Sequence, residues 1–239
     1  MNYLVLAMGR SGHHAIIDWI GERCYGEAVH YNNVIRGWEY GELIPNKNKV
    51  RKLNNSDGKE NSIYSIEDVP ADEMEKLDPY YFNQLKNTVA IIVIRDPRNW
   101  LASSIKIGGD AYNYLDKPIN KDRLYCSRID AYKSHLHEAL GNTYNIKMPR
   151  TFVLYDKWFE CSEYRDIVSF RLGLINIPGI PGKVSGFAGG SSFDKKRYDG
   201  KANKMNVLTR YKSMANNSDY KRLLDDEMIH SYLQLEKIA

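Results

Sequence analysis

The sequence predicts a three-layer α/β domain in which a central, mostly parallel sheet is flanked by helices. Residues 3–7 form a short apolar run, and a glycine-containing turn separates it from an amphipathic stretch, residues 15–20. Residues 89–94 form a continuous apolar run rich in β-branched side chains, typical of a strand buried on both faces of a parallel sheet. Strands that alternate with helices favour the α/β class, and 239 residues with 43% hydrophobic content fit one domain over residues 1–239.

The turn after the first strand has the features of a phosphate-binding loop. It leads directly into the first helix and reads Gly9-Arg10-Ser11-Gly12-His13-His14. Backbone N–H groups at a helix N-terminus carry partial positive charge, Arg10 adds a full charge, and Gly12 lets the backbone approach an anion closely. The fold is therefore expected to be P-loop NTPase-like. A Walker A loop has Lys-Ser/Thr where this chain has two histidines, so a nucleotide triphosphate with Mg²⁺ is not the expected ligand. A turn that binds nothing remains the alternative.

A second motif follows the apolar run at residues 89–94. It begins Arg95-Asp96-Pro97-Arg98-Asn99, and Ser103 lies eight residues after Arg95 on a helix that starts near Pro97. Arg95 would then lie at the carboxyl end of a central strand, where ligands bind in open α/β sheets.

Together the two motifs resemble those of the sulfotransferases that use 3′-phosphoadenosine 5′-phosphosulfate (PAPS). The segment from Gly9 to His14 resembles the family's 5′-phosphosulfate loop, and Arg95 with Ser103 resembles its 3′-phosphate motif. The resemblance covers residues 1–24 and 88–108. It implies that PAPS is the donor, that 3′-phosphoadenosine 5′-phosphate (PAP) is the product, and that no metal takes part. Arg10 would also be catalytic, by stabilising the charge that grows on the leaving group.

The sequence offers several candidates for the residue that accepts the acceptor's proton. A strand containing Ile63 and Ile66 is followed by Glu67-Asp68, where cytosolic members of the family have a catalytic histidine and the polysaccharide branch uses a carboxylate. Glu67 is the first candidate for the base and Asp68 the second. Either acid could instead belong to the first turn of the next helix. His30, at the end of a short strand over residues 28–31, is a rival, as are the two histidines of the loop.

Other segments complete the prediction. A glycine-rich stretch over residues 176–200 resembles the family's C-terminal cofactor loop, with a flexible surface loop as the alternative. Residues 36–62 are polar and aperiodic, and form either a solvated loop or an acceptor-recognition lid that uses Trp38 and Tyr40. The candidate cofactor contacts in the C-terminal loop are Ser191, Ser192, Phe193, Lys195, Lys196 and Arg197.

Helices are expected over residues 71–86, 120–140 and 161–172, and two more at the C-terminus. A further buried strand is expected at residues 151–155. His135 and His137 flank the apolar stripe of the second of these helices and are predicted to be surface groups.

Composition narrows the function classes. A net charge of +4 suits an anionic ligand and is too weak to indicate nucleic-acid binding. No apolar run approaches the ~18 residues of a membrane span, and the first strand leaves no room for a signal peptide, so a cytoplasmic protein is expected. The three cysteines are widely spaced, which indicates reduced thiols. No cysteine–histidine spacing typical of a zinc site is present.

The sequence therefore predicts transfer of a sulfuryl group from PAPS to an acceptor hydroxyl or amine, of a small molecule or a carbohydrate. Two alternatives stay open: a P-loop-like kinase, and a nucleotide-binding module without catalysis. The acceptor and the oligomeric state have no sequence signal.

Overall fold

A computed structural model describes residues 1–34, 50–54, 58, 60–76, 87–108, 115, 126–186 and 189–239. Its centre is one six-stranded sheet in the order β3-β2-β4-β1-β5-β6. All neighbouring strands are parallel except β3, which runs antiparallel to β2. The strands are β1 (Asn2–Ala7), β2 (Ala28–Tyr31), β3 (Val50–Lys52), β4 (Asn61–Glu67), β5 (Thr88–Ile94) and β6 (Arg150–Leu154).

Seven α-helices are described in these residues, and they flank the sheet. The α-helices are α1 (His13–Arg23), α2 (Pro97–Gly108), α3 (Arg128–Leu140), α4 (Tyr155–Glu160), α5 (Ser162–Arg171), α6 (Ser218–Leu223) and α7 (Asp226–Ile238). Short 3₁₀ helices cover Ala71–Lys76, Ala202–Lys204 and Arg210–Met214. The predicted α/β class and the mostly parallel sheet are confirmed.

The two apolar runs that predicted the fold lie side by side at its centre. β1 pairs with β4 on one side and with β5 on the other, with Val5 opposite Ser65 and Ile91. Residues 3–7 and 90–94 are almost completely excluded from solvent. Burial of one such aliphatic side chain contributes about 1.5–3 kcal/mol, so these strands supply much of the hydrophobic stabilisation.

The connections bring the ends of four strands together. The chain leaves β1 towards β2 on one side of the sheet, and it passes from β4 to β5 and then β6 on the other. Right-handed crossovers in opposite directions put α1 on one face and α2 and α3 on the other. The carboxyl ends of β1, β4, β5 and β6 therefore meet at one edge, next to the point where the chain direction switches, which is where α/β proteins bind ligands.

Several boundaries differ from the prediction. The helix expected over residues 120–140 begins at Arg128, because Ser127 caps it by accepting from the amide of Asp130. Tyr155 begins α4 instead of ending β6. Residues 71–76 form a 3₁₀ helix, and the rest of the predicted helix, residues 77–86, lies outside the described residues.

Two predictions about irregular or exposed positions need correction. Within the aperiodic stretch 36–62, residues 50–52 form the edge strand β3, whereas Trp38 and Tyr40 lie outside the described residues. His135 is buried and not a surface group. Its ring lies between α3 and the segment after β4, with Nε2 2.7 Å from the carbonyl oxygen of Val69.

None of the helices in the described residues is long and apolar enough to cross a bilayer. The three cysteines form no disulfide bond.

Candidate functional site

The backbone conformation of the turn between β1 and α1 directs the N-terminus of α1 towards the carboxyl ends of the strands. Gly12 has a left-handed backbone (φ 84°), and so does Arg10 (φ 70°), a conformation that costs a non-glycine residue energy and is found mostly at functional turns. The amide of Ser11 donates to the carbonyl of Met8 at 3.1 Å. No side chain caps α1, so the first amides of the helix remain available to an anion.

Neighbouring side chains fix this turn from two sides. The amide of Gly9 donates to Asp68 Oδ1 at 2.7 Å, and Trp100 Nε1 donates to the carbonyl of Gly9 at 3.0 Å. The second carboxylate oxygen of Asp68 accepts from Arg128 Nε at 2.8 Å. Asp68, the second candidate for the base, is therefore used to hold the loop.

Arg95 lies at the end of β5 and joins the two predicted motifs. Its Nη1 donates to Ser103 Oγ at 3.0 Å and to the carbonyl of Arg10 at 3.0 Å, and its Nη2 donates to the carbonyl of Val207 at 2.8 Å. The guanidinium also lies over the ring of Tyr155, 5.2 Å from the ring centroid. Arg95 Nε is buried and has no hydrogen-bond partner among the described residues.

A buried acid orients the segment that carries Arg95. Asp156 Oδ2 accepts from the amide of Asp96 at 2.6 Å, and Asp156 Oδ1 accepts from Asn99 Nδ2 at 3.1 Å. Burial raises the pKa of Asp156 to about 6, against the opposing influence of Arg95 and these hydrogen bonds. The carboxylate thereby ties the start of α2 to the end of β6.

Arg210 is a site residue that the sequence did not reveal. It begins the 3₁₀ helix Arg210–Met214, and its Nη2 donates to Ser191 Oγ at 2.7 Å and to Asp194 Oδ2 at 3.0 Å. Burial, together with the nearby positive charge of Arg95, lowers the pKa of Arg210 to about 10; the group is still cationic at neutral pH. Arg210 is 115 residues after Arg95 in the sequence and belongs to no recognisable motif, so no sequence signal pointed to it.

These elements enclose one cavity at the carboxyl edge of the sheet. Its wall carries four permanent cations, Arg10, Arg95, Lys183 and Arg210, against two carboxylates, Glu67 and Asp68. Asp68 is already paired with Arg128, so the cavity favours a ligand with several negative charges. The apolar part of the wall is formed by Ala15, Tyr155, Trp158, Phe159, Ile180, Pro181, Val184, Ala202, Met205 and Val207.

One corner of the cavity holds two histidines and an acid. Glu67 Oε1 lies 3.3 Å from His13 Nε2 and 3.6 Å from His14 Nε2. Burial raises the pKa of Glu67, but the neighbouring imidazoles outweigh it and hold that pKa far below its usual range. Burial and the neighbouring His13 lower the pKa of His14 to about 4 in spite of Glu67.

The predicted site residues divide into three groups by position. Gly9, Arg10, Gly12, His13, His14, Glu67, Asp68, Arg95, Ser191 and Ser192 lie on the cavity wall. Ser11 and Ser103 are buried just behind it and contact His13 and Arg95 respectively. The remaining candidates, His30, Phe193, Lys195, Lys196 and Arg197, are not part of the described wall.

The residues off the wall have other contacts. His30 lies behind His14, with its ring nitrogens against Ser65 Oγ and Arg51 Nε at 3.0 and 3.2 Å. Phe193 packs beneath the guanidinium of Arg210, and the guanidinium of Arg197 lies 5.6 Å from the ring centroid of Tyr198. Phe193 is therefore adjacent to Arg210, a residue of the cavity wall.

The architecture has counterparts among solved structures. Mouse sulfotransferase SULT7A1 complexed with PAP aligns with a TM-score of 0.54 at 14% identity, over 100% of this chain and 89% of that chain. The chain has the sulfotransferase fold. Retinol dehydratase in complex with androsterone and inactive cofactor PAP aligns with a TM-score of 0.38 at 15% identity, over 99% of this chain and 79% of that chain. No protein-family model matches the chain, and no curated protein matches it in sequence.

Proposed function

We propose that the protein transfers a sulfuryl group from PAPS to a hydroxyl or amine of a small-molecule or carbohydrate acceptor. The observation that carries the proposal is the position of Arg95, which donates to Ser103 Oγ and to the backbone of the β1–α1 loop at the same time. Two motifs that are 85 residues apart in sequence thus contribute to one cationic cavity. A nucleotide with phosphate groups at both its 3′ and 5′ positions fits such a pair of anion sites.

The residues present suit PAPS in three respects. The uncapped N-terminus of α1, with Arg10, suits the 5′-phosphosulfate. Arg95, whose Nε has no hydrogen-bond partner in the described part of the chain, and Arg210 supply two guanidiniums for the 3′-phosphate. Apolar side chains such as Trp158 and Ile180 suit the adenine ring. The fold that the chain shares with a mouse sulfotransferase that binds PAP supports the same donor.

Bound PAPS would supply an activated sulfuryl group, and the chain's residues would do the rest. Arg10 and the first amides of α1 would stabilise the negative charge that develops on the 5′-phosphate, and loss of one such fixed donor typically costs ~3 kcal/mol of barrier. Glu67 would accept the proton of the acceptor hydroxyl. Its carboxylate lines the cavity, whereas that of Asp68 is engaged by the amide of Gly9 and by Arg128.

The kinase alternative has less support. A kinase of this fold holds Mg²⁺ with a hydroxyl after the loop lysine, and this chain has His13 and His14 at those two positions. A nucleotide-binding module without catalysis would use the same nucleotide site as a sulfotransferase, and a turnover assay distinguishes the two.

The test is a turnover assay of PAPS against panels of sugars, phenols, alcohols and amines, read as release of PAP. We expect PAP to form only with an acceptor class that fits the cavity. Glu67→Gln should lower the rate by about 10²-fold or more while PAP affinity is kept, because a positioned base contributes on that order. Glu22→Gln, at the far end of α1, is the matched control and should keep full activity. PAP binding without turnover on any panel would favour the non-catalytic module.

A further inference from the structure

His13, His14 and Glu67 have the composition and spacing of a metal-ligand set. One ligand atom from each residue lies within 4.8 Å of the other two. Zinc holds nitrogen and oxygen ligands at about 2.0–2.2 Å, which separates the ligands of a tetrahedral ion by about 3.4 Å. The two measured separations, 3.3 Å from His13 Nε2 and 3.6 Å from His14 Nε2 to Glu67 Oε1, are close to that length.

Adjacent residues of a helix normally direct their side chains about 100° apart. Here the rings of His13 and His14 are 4.1 Å apart between centroids, because both lie in the first turn of α1 and face the end of β4. Glu67 is the last residue of β4, which pairs directly with β1. The three ligands are thus held by the phosphate loop on one side and by the sheet on the other.

The surroundings of His13 also suit a ligand. Its Nδ1 lies 3.3 Å from Ser11 Oγ, and a proton donated from Nδ1 to that oxygen leaves the lone pair on Nε2. His13 Nε2 is buried and makes no hydrogen bond of good geometry among the described residues; Glu67 Oε1 is the carboxylate oxygen beside it. A buried, fixed imidazole nitrogen aimed at a carboxylate is the kind of group that metal ions bind.

We propose that His13, His14 and Glu67 bind a divalent transition-metal ion, Zn²⁺ by preference, with a fourth coordination position open to the cavity. Two imidazoles and one carboxylate are the ligand set of open, catalytic-type zinc sites, and borderline-soft ions prefer it to Mg²⁺. All three residues line the cavity, so the remaining position faces its interior.

The ion and a proton would compete for the same lone pair of Glu67. One consequence rests on the proposed sulfuryl transfer. Bound Zn²⁺ would occupy the proton acceptor and inhibit turnover, and a chelator would restore turnover. The metal site itself does not depend on that function, because its ligands and geometry are independent of the nucleotide.

The test is titration of the purified full-length protein, without nucleotide, with Co²⁺ followed by visible absorption, and with Zn²⁺ followed by calorimetry. We expect one ion per chain and the intense bands of four-coordinate cobalt. Glu67→Gln and His14→Gln should each weaken binding by at least about tenfold. His137→Gln is the matched control, since His137 lies 3.2 Å from Glu227 in a histidine–glutamate pair on the surface, away from the described cavity wall.

Loss of the cobalt bands in both cavity variants, with the bands kept in the control, would support the site. Thermal unfolding of each variant would exclude loss of fold as the reason. Equal binding by all four proteins, or no stoichiometric binding by the wild type, would overturn the proposal. A wild type that binds Co²⁺ but not PAP would leave the metal site standing and remove the sulfotransferase function.

Discussion

The α-carbon of Gly12 lies directly against the ring of Tyr155. A Cβ atom at Gly12 would lie 2.3 Å from Tyr155 Cε2, a distance that no real contact allows. The phosphate loop after β1 and the first residue after β6 are therefore in contact, across the intervening β5, and glycine is needed there for its size as well as for its left-handed backbone.

We expect Gly12→Ala to destabilise the protein and to disturb the loop. The added methyl group must displace a buried ring, and overpacking of this kind costs about 1–3 kcal/mol beyond the backbone penalty. Gly141→Ala is the control, because Gly141 has a similar φ of 78° but open space where its Cβ would lie. Urea unfolding of both variants measures the difference, and an equal loss of stability would contradict the close contact.

Arg95→Ala should weaken PAP binding by about 30- to 5,000-fold, since removal of a buried charge that holds an anion costs about 2–5 kcal/mol. Ser103→Ala should have a smaller effect in the same direction, because Ser103 is not part of the described wall and contacts Arg95 from behind it. Calorimetric titration with PAP provides the measurement.

Arg98→Ala is the control for this pair. Arg98 belongs to the same motif, but its guanidinium pairs with Asp96 Oδ2 at 2.5 Å and is not part of the described cavity wall. PAP affinity should change little in this variant. Equal affinity loss in Arg95→Ala and Arg98→Ala would show that the motif acts through general folding and not through a phosphate contact.

Arg210→Ala should also weaken PAP binding, by about 10-fold or more, since a charge-assisted hydrogen bond contributes about 1.5–3 kcal/mol. Its guanidinium also donates to the Ser191 hydroxyl and the Asp194 carboxylate, so the variant removes contacts that hold that segment as well. Asp194→Asn separates the two effects, because it removes the anchor and keeps the guanidinium. Full affinity in Arg210→Ala would exclude a ligand contact.

Because of Asp156, we expect the free energy of unfolding to fall as pH rises. Burial raises its pKa in the folded state from 3.8 to about 6, so the folded protein binds a proton more tightly than the unfolded chain. The stabilisation is present below pH 4 and is lost as pH rises through 6, by roughly 2–3 kcal/mol in total. Unfolding free energies of the wild type and Asp156→Asn between pH 4 and 7 test this: the variant should lack that slope, and parallel curves would contradict the assignment.

The fold was predictable because its central strands carry an unambiguous signal. The continuous apolar runs of β1 and β5 are the ones buried on both faces, and the loop and Arg95 follow them directly in sequence. The edge strand β3 has only three residues, Val50–Lys52, two of them charged, so its pairing with β2 depends on tertiary contacts that no local pattern encodes.

The site was predictable only where its residues belong to a motif at a strand end. Arg95 and Ser103 are joined as their spacing indicates. Arg210 and Lys183 reach the cavity from long connections, and such positions are determined by packing and not by local sequence. The closeness of His13, His14 and Glu67 likewise depends on the pairing of β1 with β4, which sequence alone did not give.

The most direct test of the proposed function is calorimetric titration of the wild-type protein with PAP, beside adenosine 5′-phosphate and ATP with Mg²⁺. PAP and adenosine 5′-phosphate differ only in the 3′-phosphate that Arg95 and Arg210 are proposed to hold. We predict that PAP binds without added metal and at least about 100-fold more tightly than adenosine 5′-phosphate, a difference of about 2.7 kcal/mol. Equal affinity for the two, or a preference for ATP with Mg²⁺, would contradict the sulfotransferase function and leave only the fold.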